Sequence, residues 1–323
     1  MHILVAGGAG YIGSCCSEYL LDHGHQVTVF DALLNGHRDA VDPRAKFIQG
    51  NLADLDAIRQ AVRDSHPDGI IHFAAFIEVG ESMQDPLKYF RNNVSNAINL
   101  CQAACDNQVR KIVFSSTAAV YGMPEHIPIV ESEPTLPINP YGEAKLMFEK
   151  ILHWQHDLKG LQYTALRYFN AAGASEKYGE DHHPETHLIP LIMQAAEGKR
   201  EQISIFGDDY DTPDGTCIRD YIHVLDLAQA HLLALESEFC GSLNLGSGQG
   251  HSVKKVIDMV KKVTGKDFRV EVKGRRPGDP ARLIADSSAA RNVLGWKPQF
   301  DDLESIVRSA WAWRQRHPNG YAN

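Results

Sequence analysis

The stretch Gly7-Gly8-Ala9-Gly10-Tyr11-Ile12-Gly13 follows a short apolar run and leads directly into an amphipathic segment. Glycine at the first, fourth and seventh positions permits a tight turn and a close approach of the backbone to a pyrophosphate at a helix N-terminus. Strand, glycine turn and helix in this order are typical of a dinucleotide-binding unit. The stretch therefore predicts a Rossmann-type α/β fold.

An acidic residue ends the next apolar run at Asp31, about 20 residues beyond the glycines. A carboxylate there accepts hydrogen bonds from the adenosine ribose hydroxyls and repels a 2'-phosphate, and no arginine follows before Arg38. The sequence therefore favours NAD over NADP as the cofactor.

Short runs rich in branched residues alternate with amphipathic segments through the first half of the chain, which is the rhythm of a doubly wound parallel sheet. The second half is loop-rich and acidic, and the alternation returns only in fragments. We therefore expect a second, smaller, mixed α/β domain interleaved with the first. The predicted boundaries are 1–170, rejoined by about 217–246, for the NAD-binding domain, and 171–216 with 247–323 for the smaller domain.

Composition excludes several classes of protein. The 323 residues are 43% hydrophobic and 23% charged, near the globular average, which argues against disordered and fibrous chains. A net charge of -9 without a dense basic tract disfavours nucleic-acid and membrane partners. No apolar run reaches the roughly 18 residues of a membrane span, and the start has no basic leader. We expect a cytoplasmic protein whose six cysteines stay reduced.

A second group of residues predicts proton chemistry. Tyr141 and Lys145 stand one helical turn apart, just after a helix start at Asn139-Pro140. A neighbouring ammonium and an oxidised nicotinamide both favour the phenolate, which makes a tyrosine a usable base. Thr117 ends a predicted strand and would share the substrate oxygen with Tyr141, whereas a structural role is as plausible as a functional one for the preceding Ser115 and Ser116.

Many further motifs occur in order from one end of the chain to the other. They are GGAGYIGS (7–14), HFAA (72–75), VGES (79–82), NNV (92–94), FSSTAAVYG (114–122), NPYGEAK (139–145), LRYFNAAGA (166–174), IFGDDYDTPDGTCIRDYIHV (205–224) and RRPGD (275–279). With these motifs the chain resembles the extended short-chain dehydrogenase/reductase family and, within it, the C4 epimerases of UDP-hexoses.

The resemblance implies an isomerase of nucleotide-sugar and galactose metabolism that reversibly inverts C4 of UDP-glucose and UDP-galactose. The reaction would pass through a 4-keto intermediate, with tightly bound NAD as transient hydride acceptor, Tyr141 as base, Lys145 lowering its pKa and Thr117 bonding the 4-oxygen. A homodimer is also implied.

The resemblance further implies two sets of ligand-binding residues. Those that contact NAD or lie beside it would be Gly7, Gly10, Tyr11, Ile12, Gly13, Asp31, Asn35, Asn51, Leu52, Phe73, Ala74, Asn92, Thr117, Tyr141, Lys145 and Tyr168. The UDP-sugar would be held by Asn170, the Leu188 backbone, Phe206, Arg219, Arg276 and Asp279. Two arginines can neutralise a diphosphate, and an acid suits ribose hydroxyls.

Four positions depart from the common family pattern. Ile77 stands where many relatives have lysine, Asn51 replaces a common aspartate, and His187 replaces a common asparagine beside the diphosphate. Leu283 occupies a position where tyrosine is associated with excluding N-acetylated sugars. We expect side activity on N-acetylated UDP-hexosamines, although Leu283 is equally explained as a simple wall residue.

Two other functions remain open. A nucleotide-sugar 4,6-dehydratase would share the fold, NAD and the Tyr/Lys pair, but Ala118-Ala119 stand where its additional acid and base usually follow the threonine. A non-catalytic NAD-sensing protein would be expected to have lost Tyr141 or Lys145. The run from Glu180 to His187 contains histidines and carboxylates, but Pro184 interrupts any metal-binding helix, so we expect no metal site.

Overall fold

The computed structural model of the protein describes residues 1–276 and 278–321, and its largest sheet has seven parallel strands. In spatial order they are β10 (Gly241–Leu245), β6 (Gln162–Tyr168), β5 (Lys111–Thr117), β4 (Gly69–His72), β1 (His2–Ala6), β2 (Gln26–Asp31) and β3 (Lys46–Gln49). The strand order reverses at β1 and β4, so this is the predicted doubly wound Rossmann-type sheet.

Helices cover both faces of this sheet, which explains why its strands are apolar on both sides. On one face lie α1 (Tyr11–Asp22), α8 (Val224–Glu236) and α10 (Ser288–Leu294), and on the other α2 (Leu55–Ser65), α5 (Asn96–Asp106) and α6 (Pro140–Lys159). Side chains alternate along β1, so Ile3 and Val5 join the first core while Leu4 joins the second. Two short helices, α3 (Val79–Gln84) and α4 (Pro86–Phe90), precede α5.

A smaller mixed α/β unit lies beyond the carboxyl ends of the main strands. Its four-stranded sheet contains β7 (Asn170–Ala172), β9 (Ile218–His223), β11 (Gly250–Ser252) and β13 (Arg282–Leu283), and β8 (Gln202–Phe206) pairs with β12 (Arg269–Lys273). Its core is formed by α7 (Leu188–Ala196), α9 (Val253–Thr264) and α11 (Leu303–Arg316). The predicted second domain is therefore present. The boundaries near 170, 217 and 246 stay a prediction, and Pro277 and residues 322–323 lie outside the described residues.

Local interactions fix the ends of two elements. Helix α5 begins at Asn96, directly after a π-helical turn formed by Arg91–Ser95. Strand β9 ends at His223, whose side chain caps α8 by accepting the Leu225 N–H. None of the described helices combines the length and the apolar character that a membrane span requires.

Candidate functional site

A cavity of about 1390 Å³ lies between the carboxyl ends of the main strands and the smaller unit. Single drug-sized ligands occupy roughly 300–1,000 Å³, so this cavity has room for two ligands side by side. Every residue that the resemblance assigns to NAD or to the UDP-sugar lines it, from Gly7 at one end to Leu283 at the other. The described structure thus brings the whole predicted set together, while the role of each residue stays a prediction.

The glycine loop between β1 and α1 leaves space for a pyrophosphate. Gly7 has a φ of 85°, a conformation that favours glycine, and a β-carbon there would collide with the backbone of Ala74. A β-carbon at Gly13 would collide with the Gly7 carbonyl, so α1 can start only with glycine at that position. The result is an open helix N-terminus facing the cavity, as an anionic cofactor requires.

Asp31 ends β2 beside this loop. Its carboxylate accepts the backbone N–H of Ala9 at 3.0 Å and that of Leu33 at 2.8 Å. A carboxylate offers about four acceptor sites, so two remain for the hydroxyls of a ribose. The loop and the acid are therefore held in place before any ligand binds, and they fit an NAD cofactor.

His37 joins three segments beside the glycine loop. Its backbone N–H donates to the Ala9 carbonyl at 2.9 Å, and its Nε2 lies 3.0 Å from the Asp181 carbonyl. Its ring also packs on Tyr321, with 5.0 Å between the ring centroids. This residue links the glycine loop, the segment after β2 and the loop before α7 into one rim.

Tyr141 and Lys145 project from the first turns of α6, whose start is fixed by Asn139 accepting the Gly142 N–H at 2.8 Å. The Lys145 Nζ donates to the Ser115 carbonyl at 2.7 Å and lies 5.9 Å from the Tyr141 ring centroid. Burial raises the pKa of Tyr141 to about 12, with the Thr117 hydroxyl offsetting part of the shift. Burial lowers the pKa of Lys145 to about 7. Each charged form is costly alone, so a phenolate and an ammonium stabilise each other here.

Behind this pair lies a buried polar network that the sequence analysis missed. Glu149, one turn beyond Lys145, forms an ion pair with Arg167 at 2.5 Å and accepts the Ser116 hydroxyl. Ser115 instead lines the cavity and bonds the Tyr168 hydroxyl. Ser116 therefore has a structural partner, whereas Ser115 orients a cavity residue. The i, i+4, i+8 spacing on α6 was the available signal for Glu149.

The charged residues predicted to hold a UDP-sugar already have protein partners. Arg219 on β9 forms an ion pair with Asp279, and the Arg276 guanidinium lies 3.8 Å from the Phe206 ring centroid. Leu188 lines the cavity and is the first residue of α7, so its N–H is not used within the helix. Asn170 starts β7 at the same wall. A diphosphate entering here would meet two arginines already held at the surface of the cavity.

The four departures from the family pattern all line the cavity. Leu283 pairs with Arg219 between β13 and β9 and packs against Tyr121 and Ile129. The Asn51 side chain accepts the Ala53 N–H at 2.9 Å, which leaves capacity for a further acceptor contact.

The loop before α7 differs from expectation in one respect. It is not helical, as Pro184 predicts, yet it brings Glu180, His182, Glu185 and His187 together. The charges of His187 and His182 lower the pKa of Glu180 to about 2, although burial of the carboxylate acts in the opposite direction. The sequence was tested only for the spacing of a metal-binding helix. That test cannot detect side chains that a loop brings together.

Glu78 is a further cavity residue that the sequence analysis did not select. Its carboxylate accepts the Thr186 hydroxyl at 2.6 Å and opposes ionisation of Tyr141. The neighbouring VGES motif marks this region, but nothing in the motif indicates that Glu78 faces the cavity.

Fold and site together define a Rossmann-type α/β enzyme that binds a dinucleotide beside a second ligand. The model of the NAD dependent epimerase/dehydratase family matches residues 3–246, and the chain belongs to this family. Membership agrees with the predicted fold, cofactor and enzyme class.

The chain is similar over its whole length to proteins named UDP-glucose 4-epimerase. It is 53% identical to that of Streptococcus mutans, with 99% of each chain covered, and 51% identical to that of Lacticaseibacillus casei, covering 100% of this chain and 99% of the relative. A crystal structure of a UDP-glucose 4-epimerase matches with a TM-score of 0.98 at 48% identity over 100% of both chains. That of the Brucella ovis enzyme in complex with NAD matches with 0.94 at 44% identity, covering 97% of this chain and 98% of that one.

Proposed function

We propose that the protein interconverts UDP-glucose and UDP-galactose by inverting C4, with NAD as a tightly bound cofactor. The observation that carries this proposal is that Tyr141, Lys145 and Thr117 open on the same cavity as the glycine loop and the two arginines. The relatives that match over their full length are named for this activity.

The residues around the reacting carbon divide the work. Tyr141 takes the proton from the sugar 4-hydroxyl and returns it after the sugar has turned over, while Thr117 bonds the same oxygen. Lys145 stabilises the phenolate through its charge, and its bond to the Ser115 carbonyl holds it in place. When bound, NAD would reversibly accept a hydride from C4 of the sugar.

The far end of the cavity holds the nucleotide. Arg219 and Arg276 neutralise the diphosphate, the Leu188 N–H adds a donor at the start of α7, Phe206 lies beside the uracil, and Asp279 takes a ribose hydroxyl. Binding energy from the UDP part then retains the oxidised sugar while the hexose changes orientation. The hexose itself meets mainly uncharged groups, among them Leu283 and Asn170.

Replacing the base tests this assignment. Tyr141→Phe should lower turnover of UDP-galactose by about 100- to 10,000-fold, the usual contribution of a positioned general base, while NAD and UDP still bind. Product stereochemistry is read by NMR, and cofactor content is measured on the denatured protein. Tyr163→Phe removes a hydroxyl from β6 outside the residues lining the cavity and should leave turnover unchanged.

Normal turnover by Tyr141→Phe would remove this residue from the mechanism. The same assay distinguishes a C4 epimerase from a 4,6-dehydratase, because elimination gives a product that has lost one water molecule. Thr117 is followed by two alanines, which can carry neither the acid nor the base of that elimination.

Leu283 is proposed to widen the sugar specificity. It is half-buried, and a side chain smaller than tyrosine at this wall leaves room for an N-acetyl group. Leu283→Tyr should lower turnover of UDP-N-acetylglucosamine by about tenfold or more, the effect of a steric conflict of 1–3 kcal/mol, and leave UDP-glucose turnover within about twofold. No turnover of the acetylated substrate by the unmodified protein, unchanged in Leu283→Ala, would refute the idea.

We also propose that the enzyme is a cytoplasmic homodimer. Trp154 and Leu158 on α6 are 61% and 69% exposed, and Met147 and, on α5, Ile98 are exposed beside them. Large exposed apolar side chains on two neighbouring helices are a typical subunit interface.

A further inference from the structure

The loop before α7 brings together four side chains of the types that bind transition metals. Glu180, His182, Glu185 and His187 each offer one ligand atom, and the four atoms lie within 4.8 Å of one another. Nδ1 of His187 is 2.6 Å from Oε1 of Glu180 and 3.5 Å from Oε1 of Glu185, and Nδ1 of His182 is 3.3 Å from the same Glu180 oxygen. Ligands around a tetrahedral zinc ion lie about 3.4 Å apart, which these distances bracket.

The facing atoms do not satisfy one another. Among the described residues, the buried polar atoms without a hydrogen-bond partner include Glu180 Oε1, His182 Nδ1 and His187 Nδ1. These atoms are close enough for their charges to interact, but none of the three has a partner in hydrogen-bond geometry. The three atoms are themselves buried, although the side chains differ in exposure, at 9% for Glu180, 15% for His182 and 43% for His187. Three buried donor atoms without a hydrogen-bond partner, all within 4.8 Å of one another, are an arrangement that suits a cation.

We propose that these four residues bind one divalent transition-metal ion of the zinc type. Two carboxylates balance the charge of the ion, and two neutral imidazoles complete four ligands, the number found in closed structural zinc sites. Imidazole ligands select zinc over magnesium and calcium, which prefer oxygen. This reverses the expectation from the sequence that no metal binds.

The surroundings hold the ligands in position. Oε1 of Glu185 accepts the N–H groups of Thr186 and His187 at 2.8 Å each, which fixes its carboxylate. His187 is the residue that precedes the first turn of α7, and the His182 ring lies edge-on to Tyr11, with 6.3 Å between centroids. An ion here would tie the loop to α7 beside the glycine loop. Orienting contacts of this kind are typical of metal sites.

The site would also change the charge of the cavity wall. Glu180, His182 and His187 line the cavity next to Leu188, where the proposed function puts the diphosphate. An ion bound by these residues would lie next to the diphosphate and should therefore alter the affinity for the substrate. This effect on substrate affinity rests on the proposed function, whereas the site itself rests on geometry alone.

Metal content of the full chain tests the site directly. Protein stripped with a chelator and then titrated with Zn²⁺ should bind one equivalent, measured by calorimetry and by elemental analysis after dialysis. Co²⁺ in its place should give the intense visible absorption of a four-coordinate ion, a readout that needs no variant. Tyr141→Phe should bind the same equivalent, which separates failure of the site from failure of the proposed function.

Variants assign the ligands. His182→Gln and Glu180→Gln should each weaken Zn²⁺ binding more than about 100-fold, because loss of a supporting residue alone typically costs 10- to 100-fold. His183→Gln is the matched control, since His183 faces Asp181 at 3.3 Å and is not one of the four. Absence of zinc binding and of the cobalt spectrum in the folded protein, or equal zinc affinity in the His182 and His183 variants, overturns the proposal.

Discussion

Lys145 combines a catalytic assignment with a cost in stability. Its side chain is almost fully buried, and its Nζ has one carbonyl partner, Ser115, and the Phe114 ring 4.9 Å away. Burial lowers its pKa from the usual 10.5 to about 7, although the Glu149 carboxylate opposes this. An ammonium that is costly to bury is nevertheless what a phenolate at Tyr141 requires, so function and stability conflict at this residue.

The conflict predicts a pH-dependent gain in stability for Lys145→Met. Between pH 7 and 10.5 the unfolded chain binds a proton that the folded chain does not, so the cost is fully present below pH 7 and is relieved as pH rises. The variant should lose turnover yet melt roughly 2–4 °C higher than the unmodified protein at pH 6, with a smaller gain at pH 9. Calorimetry measures both.

Lys150→Met, at an exposed position of the same helix, is the control for this comparison and should show no pH-dependent gain. An equal shift at both pH values in Lys145→Met would mean that packing, and not charge burial, sets the effect.

Part of the candidate site could be predicted from residue types and their spacing in the sequence. Tyr141, Lys145, Thr117 and Asp31 follow from strand ends and helical spacing. The pairing of Glu149 with Arg167 does not, because it joins α6 to β6 across a strand of the sheet and depends on which faces meet in the folded chain. Sequence patterns predict faces of elements, but not the partner of a buried charge.

At the scale of elements, α6 presents two different sets of residues on opposite faces. Tyr141, Lys145 and Glu149 recur every four residues toward the sheet, while Met147, Trp154 and Leu158 recur on the exposed side. A helix spanning Pro140–Lys159 is long enough to position the base at its start and to carry an interface along its remaining turns. Pairing of this face with a second copy would rigidify the element that holds the catalytic groups.

Charge placed on the exposed face should separate the subunits. Trp154→Glu combined with Leu158→Glu puts like charges into an apolar interface, so the dimer proposed here should become a monomer at micromolar concentration. Light scattering coupled to size-exclusion chromatography measures the mass. Val293→Glu changes an exposed apolar residue on α10 and should keep the dimer. A monomer in the unmodified protein would refute the interface.

Most of the first half of the chain was predictable, because most strands of its parallel sheet are isolated apolar runs that a helix follows. Strand β3, separated from β2 only by a short 3-10 turn, was not predicted. Strand β6, for example, coincides with one such run, from Gln162 to Tyr168. The strands of the smaller unit were not predictable in their pairing. β9 contacts β7, β11 and β13, which come from distant parts of the chain and are as short as two residues.

At the scale of the whole molecule, the cavity is a product of the connections between its two units. The loop before α7 takes its shape from α11 and the segment that follows it, since Tyr321 accepts the Gly179 N–H at 3.0 Å and the Trp313 indole donates to the Lys177 carbonyl at 3.1 Å. No local pattern encodes these contacts. This is why a group of histidines and glutamates that reads as an ordinary polar loop in the sequence becomes a convergent cluster in the fold.

The rim formed at His37 bears on how long the enzyme works with one cofactor molecule. Bonds to Ala9 and Asp181 hold this rim beside the glycine loop, and we expect the cofactor to leave slowly compared with turnover. Slow release of the cofactor suits an enzyme whose NAD takes a hydride from the sugar and returns it to the same sugar. If the reduced cofactor escaped between the two hydride transfers, the keto sugar could not be reduced, and the enzyme would be idle until it bound a new molecule of NAD.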